Sequence, residues 1–113
     1  MITIAVVLDK SGLLKSCDIR GHAEAGKRGD DIVCAAVSAL IRTAPVVLSG
    51  REGIAVRSEA PERGVFTLET EAHSQAGRDF LAAAGSFLVE GLQSVAEEYP
   101  GNCKMTITKE RRK

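Results

Sequence analysis

The sequence lacks an excess of charge of either sign, because 15 lysine and arginine residues balance 15 aspartate and glutamate residues. A balanced chain has no overall attraction to phosphate backbones or to anionic lipid. The one basic patch is the tail at residues 109–113, and such tails are more often solvated termini than binding sites. We therefore expect no direct binding of nucleic acid.

Long apolar runs are also missing. No stretch approaches the roughly 20 apolar residues that cross a bilayer. The apolar residues 1–9 lack the basic leading region and the small-residue cleavage site of a signal peptide. We expect a cytoplasmic protein with no membrane partner.

Cysteine is scarce, with only Cys17, Cys34 and Cys103. An odd number cannot all pair within one chain, and the spacing is unlike that of a disulfide scaffold. No two cysteine or histidine residues have a close ligand spacing such as Cys-x-x-Cys, which argues against a zinc site. Phosphate-binding glycine motifs are absent too. We expect free thiols, no metal and no cofactor.

The hydrophobic patterning predicts an α+β fold. The length of 113 residues and the hydrophobic fraction of 44% are typical of one domain, which we place at 1–113. Alternation predicts strands at 2–9, 13–21, 54–57, 65–69 and 103–108, and three- and four-residue spacing predicts helices at 32–48 and 74–99. The order is ββαββαβ, and we expect one small mixed sheet with two helices packed on one face.

The first helix has three notable features. Asp30 or Asp31 is expected to cap its start, and Pro45 predicts a kink or a break near its end. The helix is apolar nearly all round, so most of its sides need covering. With some outward sheet positions also expected to be apolar, a homodimer is a reasonable expectation.

Chemistry is suggested by His22 and Cys34, which are twelve positions apart. His22 stands at the end of the second strand, and Cys34 is expected in the first turn of the helix. Unpaired N–H groups and the helix dipole favour a thiolate there. Residues 23–29 are polar, contain two glycines and are predicted to form a mobile loop between the two. The plainer alternatives are an inert core thiol and a strand-end imidazole without a task.

Further residues extend this candidate site. Ser38 lies one helical turn after Cys34, and Arg42 one turn after that. Ser38 either hydrogen-bonds near the site or bonds its own helix backbone. Asp31 is first of all a cap, with orientation of His22 as a second possible role. Backbone N–H groups at the helix start are candidates for an oxyanion hole.

Two motifs give the chain a close resemblance to the ribosomal-processing cysteine protease family, Prp. They are Gly21-His22-Ala23 and, after Gly29, the run Asp31-Ile32-Val33-Cys34-Ala35-Ala36-Val37-Ser38. The resemblance implies a catalytic dyad of His22 and Cys34, a flexible lid over the site and a homodimer. It also implies the substrate, which is the short N-terminal extension of large-subunit ribosomal protein twenty-seven.

The function expected from both lines of reasoning is that of a cysteine endopeptidase. His22 would take the proton of Cys34, the thiolate would attack a peptide carbonyl, and residues 23–30 would close over the peptide. The main alternative is a non-catalytic, ribosome-associated binding module in which Cys34 fills the core. A second alternative is a thiol redox sensor, which needs a resolving cysteine near Cys34.

Overall fold

A computed structural model describes residues 1–21 and 30–111, with the side chains of Asp30 and Asp31 outside the description. The elements, in chain order, are β1 Ile2–Leu8, β2 Leu14–Arg20, α1 Asp30–Leu48, β3 Ile54–Glu62, β4 Val65–Ala72, α2 Gln75–Glu98 and β5 Cys103–Lys109. The predicted order ββαββαβ is confirmed. The predicted mobile loop lies outside the described residues.

The five strands form one mixed sheet in the order β3-β4-β2-β1-β5. The β1–β2, β2–β4 and β3–β4 pairs are antiparallel, whereas β1 and β5 are parallel. Strands β3 and β5 are therefore the sheet edges. The predicted small mixed sheet is confirmed.

Both helices pack on one face of this sheet, because alternate strand residues on that face and one side of each helix form a single core. Its fully buried large side chains are Ile4, Leu48, Leu68, Leu81, Leu92, Val6, Val33, Cys17 and Cys103. The opposite face is mainly polar, with Thr3, Ser16, Asp18, Thr67 and Glu69 among its residues. The expected apolar outer face is limited to scattered alanines and valines such as Val7. No helix in the described ranges is long and apolar enough to cross a membrane.

The start of α2 agrees with the predicted position to within one residue. The Ser74 side chain accepts a hydrogen bond from the Gly77 amide at 2.9 Å, which is a typical N-cap. A Cβ on Gly77 would lie 2.2 Å from the carbonyl oxygen of Gly53. Glycine at position 77 therefore lets α2 begin directly against the turn before β3.

The predicted start of α1 is wrong, because the helix begins at Asp30, two residues before the predicted position. Asp30 and Asp31 already belong to the helix, so neither is the residue that precedes it. Cys34 is consequently the fifth helical residue, just beyond the first turn that the sequence predicts for it. Helical side chains tilt toward the N-terminus, so the Cys34 thiol still leans over that first turn.

Other details differ from the predictions. Pro45 does not break α1, which continues to its predicted end at Leu48, so only three helical residues follow the proline. Strand β3 extends through Pro61 to Glu62, whereas the sequence predicts that it ends at residue 57. Proline is tolerated because β3 is an edge strand and its register shifts between Glu59 and Glu62. Strand β2 is also one residue shorter than predicted at each end.

Candidate active site

Cys34 lines a groove of about 430 Å³ at one end of the sheet. Helix α1 forms one wall, and the turn between β3 and β4 forms the other. The groove residues are Ile2, Ile19, Gly21, Cys34, Val37, Ser38, Ile41, Arg42, Ala60, Glu62, Arg63, Gly64, Val65 and Phe66. The floor is thus apolar, and hydroxyl, thiol and charged groups stand along the walls.

Cys34 differs from the other two cysteines in its surroundings. All three are free thiols, but Cys34 is half-buried whereas Cys17 and Cys103 are 0% and 2% exposed. Burial raises the pKa of Cys17 to about 12, and burial also raises the pKa of Cys103. These two thiols therefore fill the core. Neither lines the groove, which argues against a redox partner for Cys34 within the chain.

Gly21 closes the end of the groove where β2 finishes. Its amide donates a 2.8 Å hydrogen bond to the carbonyl of Gly64 in the β3–β4 turn. Its φ is 113°, and a Cβ would lie 2.2 Å from the carbonyl oxygen of Met1. Both the left-handed backbone and the close approach require glycine here. The Gly21 backbone is therefore held beside the groove.

The predicted helix stripe of Cys34, Ser38 and Arg42 is confirmed, since all three line the groove. Within the described ranges no hydrogen bond involves the Ser38 hydroxyl, so the backbone-bonded alternative is not what the structure has. Thr43 makes that kind of bond instead, donating to the carbonyl of Ala39 at 2.6 Å. Ser38 leaves its hydroxyl available in the groove.

Two predicted site residues are not fully described. His22 lies outside the described residues, and of Asp31 only the backbone, in α1, is described. Their predicted roles stay predictions. The described neighbour of His22 is Gly21, to which it is covalently bonded, and Gly21 lines the same groove as Cys34.

The opposite wall was not foreseen in the sequence. Glu62, Arg63, Gly64 and Phe66 come from the β3–β4 turn and its flanks, about thirty residues after Cys34. The turn itself carries proline and glycine signals, but its position opposite α1 depends on the strand order. No local pattern around Cys34 indicates it.

A family model described as cysteine protease Prp matches residues 1–104. The fold is similar to the essential ribosomal processing protease Prp from S. aureus in complex with a substrate peptide, with a TM-score of 0.80, 23% identity and coverage of 96% of this chain and 100% of that one. The same S. aureus protease with a covalently linked product peptide has a TM-score of 0.74 at 23% identity, covering 97% and 100%. SMU.848 from Streptococcus mutans has a TM-score of 0.79 at 26% identity, covering 97% and 96%. No curated protein sequence matches the chain.

Proposed function

The chain belongs to the cysteine protease Prp family, and we propose that it removes the N-terminal extension of large-subunit ribosomal protein twenty-seven with a dyad of Cys34 and His22. One observation carries the proposal. Cys34 is the half-exposed thiol in a peptide-sized groove, and the residue bonded to His22 lines that same groove. The name of the S. aureus relative, a ribosomal processing protease, supports the class of substrate. The family also favours a protease over a non-catalytic binding module.

The proposed reaction follows the usual course of thiol proteolysis. His22 takes the proton of Cys34, and the thiolate attacks the carbonyl carbon of the scissile bond. The carbon–nitrogen bond then breaks, and the imidazolium gives its proton to the leaving amine. Water hydrolyses the thioester, which releases the second fragment and restores the thiol. The covalently linked product peptide in the S. aureus protease is consistent with such a bond.

The fold supports oxyanion stabilisation in this scheme. The thiol of Cys34 leans toward the turn that begins at Asp30, where the first backbone N–H groups of α1 have no partner within the helix. An oxyanion formed beside the thiol would lie within reach of those donors. In this proposal Ser38 assists substrate binding in the groove, and Asp31 orients His22. The whole of 1–113 acts as one catalytic domain in the cytoplasm, without a cofactor.

The test is cleavage of a peptide that spans the junction between the extension and the mature N-terminus of the host's own ribosomal protein. Wild-type protein is expected to cut it once, whereas Cys34→Ala and His22→Ala reduce the rate by three orders of magnitude or more, roughly the loss seen for a missing nucleophile or base. Cys17→Ala is the matched control, because it removes a buried thiol and should keep activity. An uncut peptide with wild-type protein, or equal rates with Cys34→Ala, would refute the proposal.

We also propose that two copies of the chain associate through the apolar groove between α1 and α2. This groove has a volume of about 350 Å³ and is lined by Leu40, Ala44, Val47, Ala84, Phe87 and Leu88, among others. Phe87 is 75% exposed and Val46 on α1 is 76% exposed, which is unusual for large apolar side chains. Their burial in a second copy would cover the apolar side of α1.

Sedimentation equilibrium of wild type and Phe87→Glu tests the homodimer. The wild type is expected to sediment as a dimer and the variant as a monomer, because a charged side chain resists burial in an apolar contact. The outward residue Thr67→Glu on the sheet is the control, since it adds the same charge on the opposite face. A monomeric wild type, or a dimer that Phe87→Glu leaves intact, would contradict this part of the proposal.

A further inference from the structure

Two guanidinium groups belong to the groove that holds Cys34. Arg42 comes from α1 and Arg63 from the β3–β4 turn, and both residues are exposed. In the described part of the chain neither forms an ion pair; the salt bridges there join Lys15 to Glu110 and Arg57 to Glu59 and Glu69. The groove therefore presents two cations that the described part of the fold does not neutralise.

The described lining of the groove also contains one carboxylate, that of Glu62, next to Arg63 in the chain. It has no ion pair with a described residue either. Among the described residues that line the groove, two positive charges and one negative charge leave one net positive charge. The electrostatic free energy of binding is therefore more favourable for an anionic group than for a cationic group.

The separation of Arg42 and Cys34 along α1 determines how many peptide residues fit between them. Eight residues separate them on α1, which corresponds to about 12 Å along the helix axis. An extended peptide covers that length in about three to four residues. Val37 and Ile41 lie between these points at the base of the groove, where both side chains are buried in the core.

From this arrangement we propose that the groove selects peptides with an acidic side chain three or four residues from the scissile bond, held by Arg42 and Arg63. The inference rests on the proposed function and adds a specificity determinant to it. Arginine suits this task because its planar group donates two parallel hydrogen bonds to one carboxylate. The partly buried side chains of Val65 and Phe66 supply the apolar contact for the peptide side chains between that carboxylate and the thiol.

The experiment compares peptides that differ in one residue. In a junction peptide that the protein cleaves, each position within five residues of the scissile bond is replaced in turn by Asp, Asn or Lys. With wild-type protein, Asp is expected to exceed Asn in kcat/KM by about fivefold at one position three or four residues away, the upper range for an exposed charge pair. The difference should appear in KM and shrink as salt is added.

Arg42→Gln is expected to reduce that ratio toward one, with the Asp and Asn peptides compared on the same variant so that any general loss of activity cancels. Arg63→Gln provides a second variant with the same expected direction. Arg57→Gln is the matched control, because it removes the same charge from the opposite face of the sheet and should keep the ratio.

The outcomes separate this inference from the proposed function. Cleavage of all peptides at rates independent of the charge, or a preference for Lys over Asp through Glu62, overturns the specificity alone. An Asp preference that survives both arginine substitutions also overturns it. Failure of the wild type to cut any peptide removes the proposed function and this inference with it.

Discussion

Cysteine occurs in two regions of the molecule, which are the core between the sheet and the helices and the groove at the end of the sheet. The two regions differ in how far they expose the thiol to solvent. In the core, Cys17 and Cys103 are closed off from solvent, and burial raises the pKa of each thiol. In the groove, Cys34 is half-buried beside a hydroxyl and charged side chains. The comparison shows that location in the fold, and not residue type, separates a packing thiol from a candidate nucleophile.

The sharpest way to break this comparison is chemical labelling. Iodoacetamide at neutral pH is expected to modify Cys34 faster than Cys17 or Cys103 by roughly three orders of magnitude or more, because the core thiols react only when the fold opens at a cost of at least about 5 kcal/mol. Peptide mapping by mass spectrometry measures the three rates. Equal labelling of Cys17 in the folded protein would mean that the core is not closed as described.

A second prediction concerns the core side of the comparison. Leu92→Ala is expected to lower the free energy of unfolding by about 2–5 kcal/mol, because Leu92 is fully buried on α2. Ser94→Ala, two residues later and exposed, should change it by less than about 0.5 kcal/mol. Urea unfolding followed by circular dichroism gives both values. If the two variants are equally stable, α2 does not bury the face assigned to it.

A third prediction uses pH to report on Cys17. Its pKa is about 12 in the fold, compared with 9.0 for an unburied thiol. Above pH 9 the unfolded chain therefore loses a proton that the folded chain retains, so stability that is complete below pH 9 is lost as the pH rises toward 12.

The wild type should lose about 1.4 kcal/mol per pH unit more than Cys17→Val between pH 10 and 11, because valine does not titrate. Urea unfolding at these pH values, with a reductant present, measures the difference. Parallel pH profiles for the two proteins would show that Cys17 is accessible to hydroxide in the fold.

The smallest effect is expected for hydroxyl groups. Thr70 is buried and donates a 2.7 Å hydrogen bond to the Leu14 carbonyl, so Thr70→Val should cost about 1 kcal/mol or slightly more. Ser38 makes no such bond with a described residue, and Ser38→Ala should change stability by less than about 0.5 kcal/mol. Thermal unfolding of both variants measures this contrast. A larger loss for Ser38→Ala would assign its hydroxyl to the fold and not to the groove.

The sequence predicts much of the fold because its elements have strong local signals. Alternation places the strands, and the spacing of apolar residues with Ser74 before them places α2. The errors occur where a local signal is outweighed by position in the fold. Pro61 is typical of a loop in isolation, but an edge strand has a partner on one side only, and the β3–β4 register shifts between Glu59 and Glu62. Pro45 reads as a helix breaker, but it stands in the last turn of α1.

The candidate site is only half predictable for a similar reason. Cys34, Ser38 and Arg42 share one helix face, and helical spacing shows this directly. Arg63 and Phe66 line the same groove only because β4 pairs with β2, which places the β3–β4 turn opposite α1. That arrangement depends on long-range strand pairing, which no short segment encodes. Gly21 has a clear motif, but the backbone of Met1 that makes glycine necessary is twenty residues away.

The most direct test of the central claim is a substrate-directed label. A peptide with the sequence before the proposed cleavage point, ending in a chloromethyl ketone, is incubated with the protein, and the modified residue is found by peptide mapping. The account predicts one label, on the sulfur of Cys34, and protection by an excess of uncut substrate peptide. A label on Cys17 or Cys103, or active protein in which Cys34 stays unmodified, would contradict it.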